Sequence, residues 1–231
     1  HVDWHEERRL LRALFPVAVR APYATYEIPF GHLQRPTTTD TPRERAMFEV
    51  PAHRWMDLSE PGLGLAVLND CKYGHSCRGG VMGMSLLRSP KWPDPDADMG
   101  HHRFVYSLMP HDGDWRAAGV DKEAEMMVRP MAAVPLGPGR AGGIKGSWAP
   151  LTVRCEGGAS VRIAAIKKAE DDERLIVRLV ECHGRGGMCT INWTLPVSEA
   201  ESVDLLERPM PLPGLIHKSG TTSLPLRSFQ I

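Results

Sequence analysis

Glycine and proline cut this chain into short pieces. There are 22 Gly and 20 Pro in 231 residues, spread along the length. Gly opens backbone angles closed to other residues, and Pro breaks helices. Long helices are disfavoured, and short strands joined by turns are favoured. Hydrophobic residues make up 42% of the chain, enough to build a core.

The apolar pattern agrees. Tyr26, Ile28 and Phe30 alternate with Thr25, Glu27 and Pro29, the period of a strand. Leu10 to Val19 is apolar but holds Pro16, which predicts an edge or bulged strand. Residues 31–43 read as a Thr/Pro/Arg loop, Phe48 to Trp55 as a strand, and Asp57 to Gly62 as a turn. Arg103 to Leu108 alternates again, and Pro110 to Asp114 turns the chain. Trp115 to Val128 is the one helix candidate, with Asp114 as its cap and Pro130 beyond its end. Residues 135–150 hold five glycines and three prolines, which predicts a boundary there, with domains at 1–140 and 141–231. After it come short strands around Val161, Leu175 and Cys189, a β-sandwich pattern.

Charge and cysteine narrow the function classes. The 28 basic and 28 acidic residues cancel, so nucleic acid is not an expected partner. No apolar run approaches the roughly 20 residues of a membrane span. Five cysteines, an odd number, make no disulfide framework. They are expected as small buried or loop thiols, in a reducing, cytoplasmic setting. The chain opens His1-Val2-Asp3-Trp4 with no initiator Met, as a piece of a longer protein or a processed one would.

One polar stretch stands out. Asn69-Asp70-Cys71-Lys72-Tyr73-Gly74-His75-Ser76 lies between the apolar run 64–68 and the alternating run 81–88. It reads as a strand–loop–strand hairpin whose groups hold the loop or face a ligand. Asp94, Asp96 and Asp98 raise a calcium reading. An EF-hand loop counted from Asp94 needs Gly at position six and Glu at twelve, where this chain has Met99 and Val105. His101 and His102 are adjacent, so in a strand they point to opposite faces rather than at one metal.

The run from Leu65 to His111, with "DWHEERRLLRALFPV" from Asp3, "ATYEIPFGHLQRP" from Ala24 and "VDLLERP" from Val203, resembles the C-terminal region of glycoside hydrolase family 38 α-mannosidases, the cytosolic and vacuolar type and its bacterial relatives. The resemblance implies an all-β chain: a large antiparallel β-sandwich of the galactose mutarotase kind, followed by a smaller one. It implies that the full-length protein is a retaining α-mannosidase acting on terminal α-mannosyl residues of mannosides. The catalytic residues and the divalent metal, usually zinc, would lie in an N-terminal catalytic domain, which is the expected partner. No catalytic residue and no metal ligand is carried over to this chain; a homo-oligomer is possible.

Asp70, Lys72 and Tyr73 are the substrate-binding candidates, because a charged acceptor, a cationic donor and a phenol-bearing ring suit sugar hydroxyls. Arg78 and His75 are weaker candidates. Trp55, Trp92 and Trp115 are possible stacking residues, though buried Trp is commoner. Pro22, Tyr23, Leu33 and Trp92 are candidates for an apolar face toward the rest of the protein. Two other classes remain: a self-standing carbohydrate-binding sandwich, and a mutarotase-like epimerase using His32, His53 and Glu49.

Overall fold

The computed structural model describes residues 1–135 and 146–231. Contacts divide the chain into two compact units, His1–Ala132 and Ala133–Ile231. The boundary predicted after residue 140 lies outside the described residues.

In the first unit the elements run β1 (Val2–Trp4), β2 (Leu11–Pro16), β3 (Tyr23–Ile28), β4 (Gly31–Pro36), α1 (Pro42–Ala46), β5 (Val50–Pro51), β6 (Trp55–Glu60), β7 (Leu63–Asn69), β8 (Gly74–Arg78), β9 (Val81–Leu87), β10 (Gly100–His102), β11 (Tyr106–His111), α2 (Trp115–Ala118) and α3 (Val120–Val128). One sheet has the order β11-β7-β6-β3-β4, another β2-β9-β8-β5, and β1 pairs with β10. All of these pairings are antiparallel.

Alternation along β6 and β7 explains the layers. Met56, Leu58 and Val67 pack with Tyr26, Cys77 and Met82, filling the space between the two sheets. Trp55, Ala66 and Leu68 face the other way and pack against Trp115, Val120 and Ala124. These two strands are therefore buried on both faces, one by the opposing sheet and one by helices.

Charged groups sit on the helix-covered face, and each is paired. Arg54 donates through its backbone amide and its side chain to Glu27 of β3, and through the other arm of the guanidinium to Glu125 of α3. Asp57 meets His111 Nε2 at 2.7 Å and accepts from Ser59 Oγ at 2.8 Å, with both members of the pair under 5% exposed. Burial raises the Asp57 carboxyl above its ordinary range, and the bonds from Ser59 and His111 oppose that rise. Gly64 must lack a side chain here, because a Cβ would sit 2.2 Å from the His111 ring.

In the second unit β12 (Leu151–Cys155), β13 (Val161–Lys168), β14 (Leu175–Glu181), β15 (Gly187–Trp193), β16 (Ile216–Lys218) and β17 (Thr221–Leu226) form a sheet ordered β12-β15-β17-β16 and a ribbon β13-β14. Leu151, Cys189, Ile191, Leu224 and Leu226 form its core, and Ile163, Val177 and Leu179 of the ribbon pack on them. Glu181 is fully buried, and its carboxylate accepts from the amides of Ser160, His183, Gly184, Arg185 and Phe229. Five amide donors replace the water that this carboxylate gives up.

The all-β architecture and the edge strand with its bulge at Leu11/Arg12 match the sequence reading. Several local expectations change. Among the described residues there are three short helices rather than one. The segment 115–128 breaks at Gly119, which adopts φ +70°, while Asp114 caps its start as expected. Residues 31–36 form β4 rather than loop, since an edge strand needs few apolar residues. Asp57 to Glu60 is strand, and only Pro61–Gly62 turns. The five thiols become three, because Cys155 and Cys189 lie directly opposite on β12 and β15 and form a disulfide.

Two outcomes follow. Alkylation of the unreduced, unfolded chain labels Cys71, Cys77 and Cys182 and reaches all five cysteines only after reduction, as intact mass will show. Arg54→Ala leaves Glu27 without its cation and Glu125 with only the exposed Arg129, and costs about 3 kcal/mol in urea unfolding, the low end for a broken buried pair because Arg54 and Glu125 keep some contact with solvent.

Candidate functional site

β7 belongs to the five-stranded sheet and β8 to the four-stranded one. The polar stretch from Asn69 is thus a crossover between sheets rather than the hairpin predicted from its flanks. Asn69, 2% exposed, organises it. Its Oδ1 accepts from the amides of Cys71 and Lys72 at 3.1 and 2.6 Å. Its Nδ2 donates to the His53 carbonyl at 2.9 Å. Sequence reasoning passed over Asn69, although Asn ahead of a polar turn is a signal for such side-chain-to-backbone bonding.

The three candidates divide. Asp70 is exposed, pairs its amide with the Val105 carbonyl and accepts from the Val105 amide. Lys72 Nζ stands 4.7 Å from the centre of the Phe104 ring. These two brace the turn against the segment entering β11. Tyr73 lies edge-on to His53 and stays 60% exposed. Together they make a short rim with a carboxylate, an ammonium and an accessible phenol.

The weaker candidates are engaged elsewhere. His75 is buried, pointing into the sandwich rather than toward solvent. Its Nε2 faces the Asn69 Nδ2 donor at 3.4 Å, which requires a neutral ring. Burial pushes its pKa down to about 4, against opposing pulls from the Tyr73 carbonyl and Glu49. Arg78 donates to the Glu44 and Arg45 carbonyls at the end of α1. Trp55 and Trp115 pack on each other in the core, 4.7 Å between ring centres. Trp92 remains open, at 84% exposure.

The acidic loop after Arg88 is internally braced. Asp98 accepts from the amides of Arg88 and Ser89, which hold its carboxyl below the ordinary value. Asp94 accepts from the Asp96 amide. Among the described residues no three His, Cys, Asp or Glu side chains gather to hold a metal ion. The epimerase trio does not converge: His32 contacts Trp115 and Arg116, His53 contacts Tyr73, and Glu49 bonds Ser85. An open cleft in the first unit is lined by residues 17–22, 37–40, 58 and 78–80, and takes in none of Asp70, Lys72 and Tyr73.

The first unit is an antiparallel β-sandwich in which polar groups line the crossover between its two sheets. The comparisons identify it. Residues 1–96 match the Glycosyl hydrolases family 38 C-terminal domain, and residues 160–231 match the Glycosyl hydrolases family 38 C-terminal beta sandwich domain. The chain belongs to the C-terminal region of glycosyl hydrolase family 38. It is 46% identical to human Alpha-mannosidase 2C1 over all of its own length and 22% of that protein's. It is 42% identical to Alpha-mannosidase G of Dictyostelium discoideum, covering 84% of this chain and 17% of that one. An alpha-mannosidase from Enterococcus faecalis V583 shares the fold, with a TM-score of 0.74 at 20% identity over 96% of this chain and 25% of that one. The chain thus spans less than a quarter of the length of the human relative.

The buried His75 sets a pH dependence. Its folded pKa is depressed from 6.5 to about 4, so between those values the unfolded chain binds the extra proton. Stability is full above about pH 6.5 and falls as the pH drops, by about 2–3 kcal/mol at about pH 4.5. Urea unfolding of the chain and of His75→Gln will show a shallower acid loss in the variant.

Proposed function

We propose that this chain is the C-terminal, non-catalytic part of a retaining α-mannosidase that releases terminal α-mannosyl residues. The observation that carries the reading is full-length identity of 46% to a protein named an alpha-mannosidase, of which the chain matches 22%. Retaining glycosidases work with two carboxyl groups about 5–5.5 Å apart across the sugar. That pair, and the zinc or other divalent ion that would clamp the mannose hydroxyls, belong to the N-terminal catalytic domain of the same protein, the principal partner of this chain. The division into a larger sandwich over 1–140 and a smaller one over 141–231 is part of this reading, supported by two separate family matches.

Asp70, Lys72 and Tyr73 wall one side of the sugar site in the full-length protein. The crossover supports this role because Asn69 fixes the backbone while the Tyr73 hydroxyl end stays accessible. The cytoplasm is the proposed location. Three of the five cysteines are free thiols, the state a reducing compartment favours, while the Cys155–Cys189 disulfide argues the other way. A homo-oligomer is compatible with this reading.

The test compares two proteins. The full-length protein hydrolyses an aryl α-mannoside and loses that activity to a chelator, while the 231-residue chain shows no turnover with or without zinc. Lys72→Ala and Tyr73→Ala each raise KM in the full-length protein about 3–10-fold, the loss of one sugar hydrogen bond. Hydrolysis by the chain alone above a denatured blank, or a full-length protein inert toward α-mannosides, overturns the reading. Saturable heat from mannose titrated into the chain alone would instead favour a self-standing carbohydrate-binding sandwich.

A further inference from the structure

A cleft of about 1050 Å³ opens in the first unit between two irregular stretches, residues 17–22 and 37–40, with the β8–β9 turn at residues 78–80 beside them. Val19 and Leu58, both core residues of the sandwich, also line it. Its walls are stitched together. Thr37 donates its amide to the Pro22 carbonyl at 3.0 Å and its hydroxyl to the Ala21 carbonyl at 2.7 Å. The Val17 amide donates to the Gly80 carbonyl at 2.7 Å. Arg45 Nη1 holds the carbonyls of Thr39 and Asp40 at 3.1 and 2.9 Å. The cleft is a braced feature, at the upper end of the size range of small-molecule sites.

Several donors that line it are unspent. Val19 is 4% exposed, yet its amide has no acceptor among the described residues. Buried backbone donors are nearly always paired. The Thr39 amide likewise has no acceptor among them. Arg78 spends Nη2 on the Glu44 and Arg45 carbonyls at 2.9 and 3.0 Å. That pins the guanidinium and leaves Nε and Nη1 without an acceptor among the described residues. Neighbouring acids are consumed, Glu60 by the Arg20 amide and Glu44 by the Thr38 hydroxyl and the Asp40 amide. Asp40 is the one acid lining the cleft, against Arg20 and Arg78.

We propose that the cleft binds a hydroxylated organic anion, a sugar acid or a sugar phosphate. Its carboxylate or phosphate accepts from the free edge of Arg78 and from the Val19 and Thr39 amides, as charge-assisted bonds. Its hydroxyls donate to Asp40, a carboxylate that a bare anion would meet only with repulsion. A bare ion also leaves Val19 and Leu58 facing water, where the apolar face of a sugar ring covers them. An uncharged sugar leaves the Arg78 edge without its match.

The experiment uses the full-length protein with glucose 6-phosphate, glucuronate and glucose, whose glucose body keeps the proposed mannoside site out of the reading. Hydrogen exchange followed by mass spectrometry reads the free amides directly. Glucose 6-phosphate, glucuronate or both are expected to slow exchange in residues 17–22 and 37–40, saturably, while glucose at the same concentration does not. Which of the two acts tells phosphate from carboxylate. Calorimetry with Arg78→Gln is expected to show binding weakened about tenfold or more, and Lys72→Ala, whose residue does not line the cleft, is expected to bind as the parent does. Protection by neither anion, equal protection by glucose or by inorganic phosphate alone, or protection only outside these residues overturns the proposal. The exchange result on the unaltered protein decides the matter even if Arg78→Gln fails to fold.

Discussion

The fork of Arg54 is the interaction on which the larger unit depends. A planar guanidinium can serve two carboxylates at once, which an ammonium does less well. Here it joins Glu27 on β3 to Glu125 on α3 from a position just ahead of β6. The next residue, Trp55, then lands beneath Trp115, and the helices cover the sheet face that would otherwise expose Ala66 and Leu68. A sheet buried on both faces accepts charge only where each group has a partner, and the Asp57–His111 pair obeys the same condition.

Local features of the fold were legible in the sequence wherever the deciding interaction is local. Period-two alternation located β3, Asp114 announced the start of α2, and Pro16 marked an edge strand. Misreadings came where a distant residue decides. Asp57, Ser59 and Glu60 look like turn residues, yet Asp57 is strand because His111, 54 positions away, pairs with it. The thiol count gave no hint that Cys155 and Cys189 would face each other across adjacent strands.

The candidate site shows the same divide. Residues 69–76 were recognisable as a polar crossing with unusual side chains, but composition could not say which would point outward. The structure separates a buried His75, a turn-organising Asn69 and an accessible Tyr73, all within the stretch 69–75. The Asn69 side-chain oxygen is spent on the turn's own backbone amides, and the Asp70 carboxylate on the amide of Val105.

The bond between Cys155 and Cys189 encloses the whole β13–β14 ribbon in a covalent ring spanning 34 positions. Within that ring lies the acidic turn Asp171–Asp172–Glu173, the stretch that joins the two ribbon strands. A chain cut there would stay a single molecule, both ends still fastened to neighbouring strands of the sheet. The smaller unit is thus an annular graph rather than a line, and a break inside the ring opens it without dividing it.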